Sequence, residues 1–90
     1  MKLVKAAMAG TMEPSDVMVK VEPADDLTID LESNVAKQFG ASIKATVLEV
    51  AKKMAITGAA IKLVDHGALD FTIRARLETA LKRALKEAAQ

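Results

Sequence analysis

The hydrophobic period of this chain switches from two residues to between three and four, and does so twice. That switching limits it to folds that pair strands with covering helices. In 17–22, Val17, Val19 and Val21 alternate with Met18, Lys20 and Glu22, and the β-branched content suits a strand. Pro23-Ala24-Asp25-Asp26 reads as a turn. In 27–32, Leu27, Ile29 and Leu31 face one way and Thr28, Asp30 and Glu32 the other, which is the pattern of a half-buried antiparallel strand. Then Val35, Phe39, Ile43, Val47, Val50 and Met54 recur at helical spacing. Ser33 or Asn34 is expected to cap that helix, and Gly58 to lie just past its end in a left-handed conformation. Gly40 sits inside it at a cost of about 1 kcal/mol against Ala, which a close backbone contact would explain.

A second cycle follows. Residues 59–65 give a short strand with Ile61 and Leu63 on one face, and His66-Gly67 a turn. Asp70 is expected to cap a last helix whose apolar stripe is Ile73, Leu77, Leu81, Ala84 and Leu85, with Arg74, Lys82, Arg83 and Lys86 on the opposite face. The first ten residues allow an extra strand ending at Gly10-Thr11 and paired with 17–22. The order is then β-β-β-α-β-α over residues 1–90 as a single domain. Two amphipathic helices need one apolar sheet face to cover. The expected fold is therefore a small two-layer α+β sandwich, a mainly antiparallel sheet covered on one face by two helices.

Composition excludes more than it suggests. A net charge of +1, no Trp or Tyr and only Phe39 and Phe71 as aromatics give no field and no stacking platform for nucleic acid. The absence of Cys removes disulfides, thiolate metal sites and a cysteine nucleophile, and fits a reducing compartment. No apolar stretch approaches the roughly 20 residues of a membrane span, and the start of the chain lacks a signal-peptide core, so a cytoplasmic protein is expected. The single histidine, His66, has no second His and no Cys to share a metal, and reads as a turn residue. Asp25-Asp26 reads as a solvated turn rather than an acid/base pair. Gly10, Gly40, Gly58 and Gly67 are too scattered for a phosphate loop. Met8, Met12, Met18 and Met54 read as core and edge packing. Charge is uneven: seven acidic residues and one Lys lie from Glu13 to Glu32, five basic residues and two Glu from Phe71 to Gln90. The basic face of the last helix is either solvated or a contact for a partner or an anion.

Glu13-Pro14-Ser15-Asp16 carries the only feature that points to chemistry. Pro14 has the fixed φ of the second position of a β-turn, and Ser and Asp are common turn residues. Ser15 is thereby placed at the tip of a loop between two extended segments. With no base beside it in sequence it is a poor nucleophile, but it is reachable as a point of attachment, with a plain turn serine as the alternative.

Three blocks in order resemble the citrate lyase acyl carrier protein family, the gamma subunit. Ala9-Gly10-Thr11-Met12-Glu13-Pro14-Ser15-Asp16-Val17-Met18-Val19 is similar to its Ala-Gly-Thr-Leu-Glu-Ser-(Ser or Gly)-Asp-(Val/Ile)-Met-(Val/Ile). Val35-Ala36-Lys37-Gln38-Phe39-Gly40 is similar to its Val-x-(Lys/Gln)-Gln-Phe-Gly. Asp65-His66-Gly67-Ala68-Leu69-Asp70 and Ile73-Arg74-Ala75-Arg76-Leu77 are similar to its Asp-Lys-Gly-Ala-Leu-(Asp/Glu) and (Leu/Ile)-Arg-Ala-Arg-(Leu/Val). The resemblance implies a non-catalytic carrier with a covalently attached 2'-(5''-phosphoribosyl)-3'-dephospho-CoA, joined to a serine by a phosphodiester. The thiol of that arm would hold acetyl and citryl thioesters between a transferase (alpha) and a lyase (beta) subunit during cleavage of citrate to acetate and oxaloacetate. A prosthetic-group transferase would attach it, and neither nucleic acid nor membrane is a partner. One position departs: the family's modified serine follows the Glu directly, and here that position is Pro14, which has no hydroxyl. Ser15 is then the expected attachment residue, shifting the anchor by about 3.5 Å. Ser33 suits a helix cap and Ser42 lies inside a helix. Two other readings remain: a carrier of the malonate decarboxylase type, and an unmodified α+β interaction domain related to the carriers.

Overall fold

A computed structural model of the chain describes residues 1–86. Its elements are β1 (Ala7–Gly10), β2 (Val17–Glu22), β3 (Leu27–Ser33), α1 (Ala36–Lys53), β4 (Ala59–Asp65) and α2 (Asp70–Leu85), in the β-β-β-α-β-α order expected. The alternating valines do what their period implies: Val17, Val19 and Val21 are wholly buried, as are Ala59, Ile61 and Leu63 of β4. The buried stripe of α1 is Ile43, Thr46, Val47, Val50 and Ala51, and that of α2 is Ile73, Leu77, Ala80, Leu81 and Ala84. These stripes and the inward faces of the strands form one core, so both helices lie on the same side of the sheet. The other side carries the exposed Lys20, Glu22, Thr28, Asp30, Glu32 and Lys62.

The sheet order is β1-β2-β4-β3. β1 pairs β2 antiparallel with Ala9 opposite Val19, and β2 pairs β4 antiparallel with Val19 opposite Leu63. β3 is not antiparallel to its neighbour, as its alternation suggested, but parallel to β4, with Ile29 opposite Ile61 and Leu31 opposite Leu63. Period-two alternation reports only that one face is buried. Direction is set by the connection, and α1 is the crossover that returns the chain in the same sense.

The turn at 23–26 is consequently not a hairpin turn. β4 lies between the two strands it joins, so the chain must step across the start of β4. Gly58 sits beneath that step: a Cβ there would stand 2.2 Å from the Ala24 carbonyl oxygen. Gly58 is thus needed for close approach, not for a left-handed helix end. The left-handed residue after α1 is Ala55, with φ 57°. The other helix ends also differ from the sequence reading. The N-cap of α1 is Val35 and that of α2 is Leu69, neither with a side-chain cap. Ser33 acts one turn earlier, its hydroxyl accepting the Val35 N–H at 3.1 Å, and Asp70 is the first residue of α2. The apolar stripe of α1 starts at Ile43, leaving Phe39 52% exposed one turn before it. Met8 and Met12 are exposed, not core, and Gly40 has no close neighbour: an added Cβ would meet only Ala36 Cβ at 3.8 Å and Leu31 Cδ2 at 3.9 Å. Among the described residues no helix is long and apolar enough to cross a membrane.

Candidate functional site

The loop between β1 and β2 holds Ser15 at its tip. Asp16 N–H donates to the Glu13 carbonyl at 3.2 Å, which closes Glu13–Asp16 as a β-turn. Pro14 occupies the second position, where its φ is preset. Ser15 occupies the third with φ 64°. Positive φ at the third position alone defines a type II turn, whose usual residue there is glycine. Ser15 is exposed, and among the described residues its hydroxyl makes no hydrogen bond. The sequence expectation of an exposed turn-tip serine therefore matches the structure; its strained backbone is new.

The turn is held from three directions. Ser15 N–H donates to the His66 carbonyl at 2.8 Å, and His66 N–H donates to the Asp16 carbonyl at 2.9 Å, so the β2–β4 ladder continues past the last named strand residue into the turn. The Asp16 carboxylate accepts four hydrogen bonds: from Arg76 Nε at 3.1 Å and Nη2 at 2.9 Å, from the Thr11 hydroxyl at 2.6 Å and from the Val17 N–H at 2.8 Å. The Thr11 oxygen in turn accepts the Glu13 N–H at 3.2 Å. The Arg76 guanidinium, then Thr11 and the Val17 amide, hold the Asp16 carboxyl well below the usual carboxylate range, because each donor favours the charged form. Arg76, on α2, belongs to the Ile73-Arg74-Ala75-Arg76-Leu77 block that resembles the family, but no spacing points to its partner, which lies 60 residues away. Thr11 and Asp16, at the two ends of the loop, are within reach of one another in sequence, and the turn brings their side chains together.

His66 contributes to this site through its main chain. Its Nε2 is buried and has no hydrogen-bond partner among the described residues. Gly67 follows with φ 89°. The buried Asp65 fixes the start of the β4–α2 loop, its carboxylate accepting the Ser33 hydroxyl at 2.8 Å and the Ala68 N–H at 3.0 Å. Beyond it, a groove of about 310 Å³ lies between the start of α1 and this loop, lined by Val35, Phe39, Ser42, Ile43, Ala68 and Leu69 among others. Of these lining residues Phe39 and Leu69 are more than half exposed, and Phe71, in the first turn of α2, is 69% exposed. The expected basic face of α2 is partly spent inside the molecule. Arg74 bridges Asp70 and Glu49 at 2.6 and 3.0 Å, and Arg83 donates to the Met8 carbonyl at 2.8 Å. Lys82 and Lys86 are exposed, and Glu87 lies outside the described residues.

A lone hydroxyl on a braced turn, with no side-chain base bonded to it, fits a point of covalent attachment. Ser33 is engaged by Asp65 and Val35; Ser42 is also exposed, but it lies within α1 beside the groove and not on a turn tip. Among the described residues no cluster of side chains suits a metal ion.

Residues 4–84 match the family described as ACP: Malonate decarboxylase delta subunit (MdcD). The chain is 53% identical over 87 residues to a citrate lyase acyl carrier protein of Haemophilus influenzae (strain PittEE), covering 97% of this chain and 92% of the relative. It is 44% identical over 84 residues to one of Treponema denticola, covering 93% and 97%. A solved chain from a Pseudomonas malonate decarboxylase hetero-tetramer superposes with a TM-score of 0.82 at 20% identity, covering 93% of this chain and 88% of that one, which is a likeness of fold.

Proposed function

The chain belongs to this acyl carrier protein family, whose members are carriers rather than catalytic subunits, and from that premise we propose that it is the acyl carrier of a citrate lyase. In this reading one carrier domain bears a phosphoribosyl-dephospho-CoA arm on Ser15 through a phosphodiester. It works in the cytoplasm with a transferase and a lyase subunit that exchange and cleave the acyl group. The arm would supply a thiol for acetyl and citryl thioesters. The protein's own contribution is tethering: an acyl group held on one short linkage meets both active sites at an effective concentration that can reach the millimolar range.

The observation that carries the reading is the exposed, unengaged Ser15 hydroxyl at the tip of a braced turn. Pro14 at the preceding position removes the alternative anchor. The matching family is described by the malonate decarboxylase subunit, but the relatives at 53% and 44% identity are citrate lyase carriers while the solved decarboxylase chain is 20% identical, and that favours citrate lyase. The exposed Phe39, Leu69 and Phe71 also suit a subunit that works against larger partners.

The test is intact mass followed by peptide fragmentation on chain produced with its native modifying enzymes. The expected result is a phosphoribosyl-dephospho-CoA adduct on Ser15. An unmodified chain made beside active enzymes would overturn the reading and leave an interaction domain of the carrier fold.

A further inference from the structure

Ser15 stands in a backbone conformation that L residues other than Asn and Asp rarely adopt, at φ 64°. A left-handed residue of this kind costs about 1–2 kcal/mol. Such outliers persist only where the surroundings over-determine them, and they gather where the conformation itself is used. Here the over-determination is visible bond by bond. The two amides of the tip, Ser15 and Asp16, are tied to His66 and Glu13. The carboxylate of Asp16 draws together Thr11 from one end of the loop, Val17 from the other and Arg76 from α2. The bidentate geometry matters, because two parallel N–H donors fix the carboxylate plane as well as its position. The Thr11, Asp16 and Arg76 side chains lie outside the hydrophobic core, and the Ser15 hydroxyl itself is left out of the network.

We propose that Arg76, Asp16 and Thr11 are positioning residues for the modification of Ser15, holding its turn in the type II conformation that the modifying enzyme recognises. The inference rests on the assignment of Ser15 as the attachment residue. The step they serve is phosphodiester formation. The Ser15 Oγ bonds to the phosphorus of an activated phosphoribosyl-dephospho-CoA, a phosphoanhydride. The anhydride P–O bond breaks with its electron pair on the departing phosphate, and the serine proton passes to a base on the transferase. Nothing in this chain performs that chemistry. What the clamp controls is the fraction of carrier whose hydroxyl stands where the transferase can use it.

That fraction enters the kinetics in a recognisable way. If only a fraction of folded carrier presents the turn correctly, apparent affinity falls by that fraction while turnover of bound carrier is unchanged. The experiment measures steady-state labelling of the full chain by its transferase and the activated donor, followed by mass, for Thr11→Val, Thr11→Ser, Asp16→Asn, Arg76→Gln and the Asp16→Asn/Arg76→Gln double variant. Each is assayed where circular dichroism shows it folded. The expected result is a KM for carrier raised roughly tenfold in Thr11→Val, Asp16→Asn and Arg76→Gln, with kcat within about twofold. Thr11→Ser, which keeps the hydroxyl that both donates and accepts, should restore wild-type KM. The double variant should be no worse than its worse single, because the pair acts as one unit. Folded Thr11→Val, Asp16→Asn and Arg76→Gln variants labelled with wild-type KM would overturn the proposal while leaving Ser15 as the anchor. A wild-type chain that is never labelled would overturn both.

Discussion

Gly10 and Ser15 both adopt positive φ, at 94° and 64°, and they bracket the same loop. They differ in what a side chain would meet. A Cβ at Gly10 would lie 1.8 Å from the Val17 carbonyl oxygen, inside the β1–β2 pairing, whereas Ser15 already carries its Cβ in solvent. Gly10→Ala is therefore expected to destabilise the fold by more than about 2 kcal/mol in urea denaturation. Gly40→Ala should do the opposite, gaining up to about 1 kcal/mol, because helix propensity improves and the new methyl meets only ordinary contacts. Ser15→Gly should leave stability equal or slightly higher, since the left-handed penalty vanishes, while removing the proposed attachment hydroxyl. Asp16 adds a pH signature. Its carboxyl titrates lower in the folded chain than in the unfolded one, so its stabilisation is fully present above the unfolded value of about 3.9 and is lost as pH falls toward the folded value. The stability gap between wild type and Asp16→Asn should be on the order of 2 kcal/mol at neutral pH and shrink steadily between about pH 4 and pH 2, as followed by denaturation at each pH. A gap constant over that range would mean the Arg76 pair adds nothing.

The β4–α2 loop is organised by one buried carboxylate, Asp65, 2% exposed, at the end of the central strand. It joins the last residue of β3, Ser33, to the amide of Ala68, so the parallel pair of strands and the approach to α2 share one anchor. Asp65→Ala would leave the Ala68 amide without that partner. A loss of about 2–3 kcal/mol is expected, with faster amide hydrogen exchange at Ala68 than in the centre of β4. Asp65 also shows where sequence reasoning stopped. Its place on the inward face of β4 followed from the alternation of Ile61 and Leu63, but an acidic residue inside implies only that some donor exists, not that the donor sits 32 residues away. The same limit explains the parallel β3. Leu27, Ile29 and Leu31 declare a buried face and nothing about direction, so the two helices, four strands and their one-sided covering were legible while the sheet order was not. Local signals at the helix ends were outcompeted: Asp70 bonds to Thr46 and Arg74, and a serine two residues upstream serves Val35. Of the site, the turn and Ser15 were legible because Glu-Pro-Ser-Asp is local chemistry. Arg76 was not, because only the packing of α2 against β1 and β2 brings it to Asp16.

At the scale of the molecule, exposed apolar side chains occur at several places, Val4, Met8, Met12 and Leu48 among them, and one group lies beside a groove. The sheet's open face mixes the charged and polar Lys20, Glu22, Thr28, Asp30, Glu32 and Lys62 with Met8, Met18 and Val64, and the core is closed by aliphatic residues alone. Phe39 and Leu69 line the groove between the start of α1 and the β4–α2 loop and are both exposed, and the exposed Phe71 follows in the first turn of α2. That loop is tied to the Ser15 turn through the His66 main chain, so the groove and the proposed attachment point lie beside the same loop. A carrier that delivers its cargo into partner active sites has to meet those partners near the anchor. Aromatic residues in such a position are the ones that dominate binding when they enter a partner pocket. Phe71→Ser and Leu69→Ser remove apolar area from a surface already in water, so thermal stability should change by no more than about 0.5 kcal/mol. Sedimentation of the carrier with the lyase and transferase subunits should nevertheless show assembly weakened by at least about fivefold, against little change for Lys62→Ser on the open sheet face. The mass of the arm on Ser15 should be unaltered in both apolar variants, if the modifying enzyme reads the turn and the lyase complex reads the apolar residues by the groove. Equal weakening by Lys62→Ser would place the partner contact on the sheet instead.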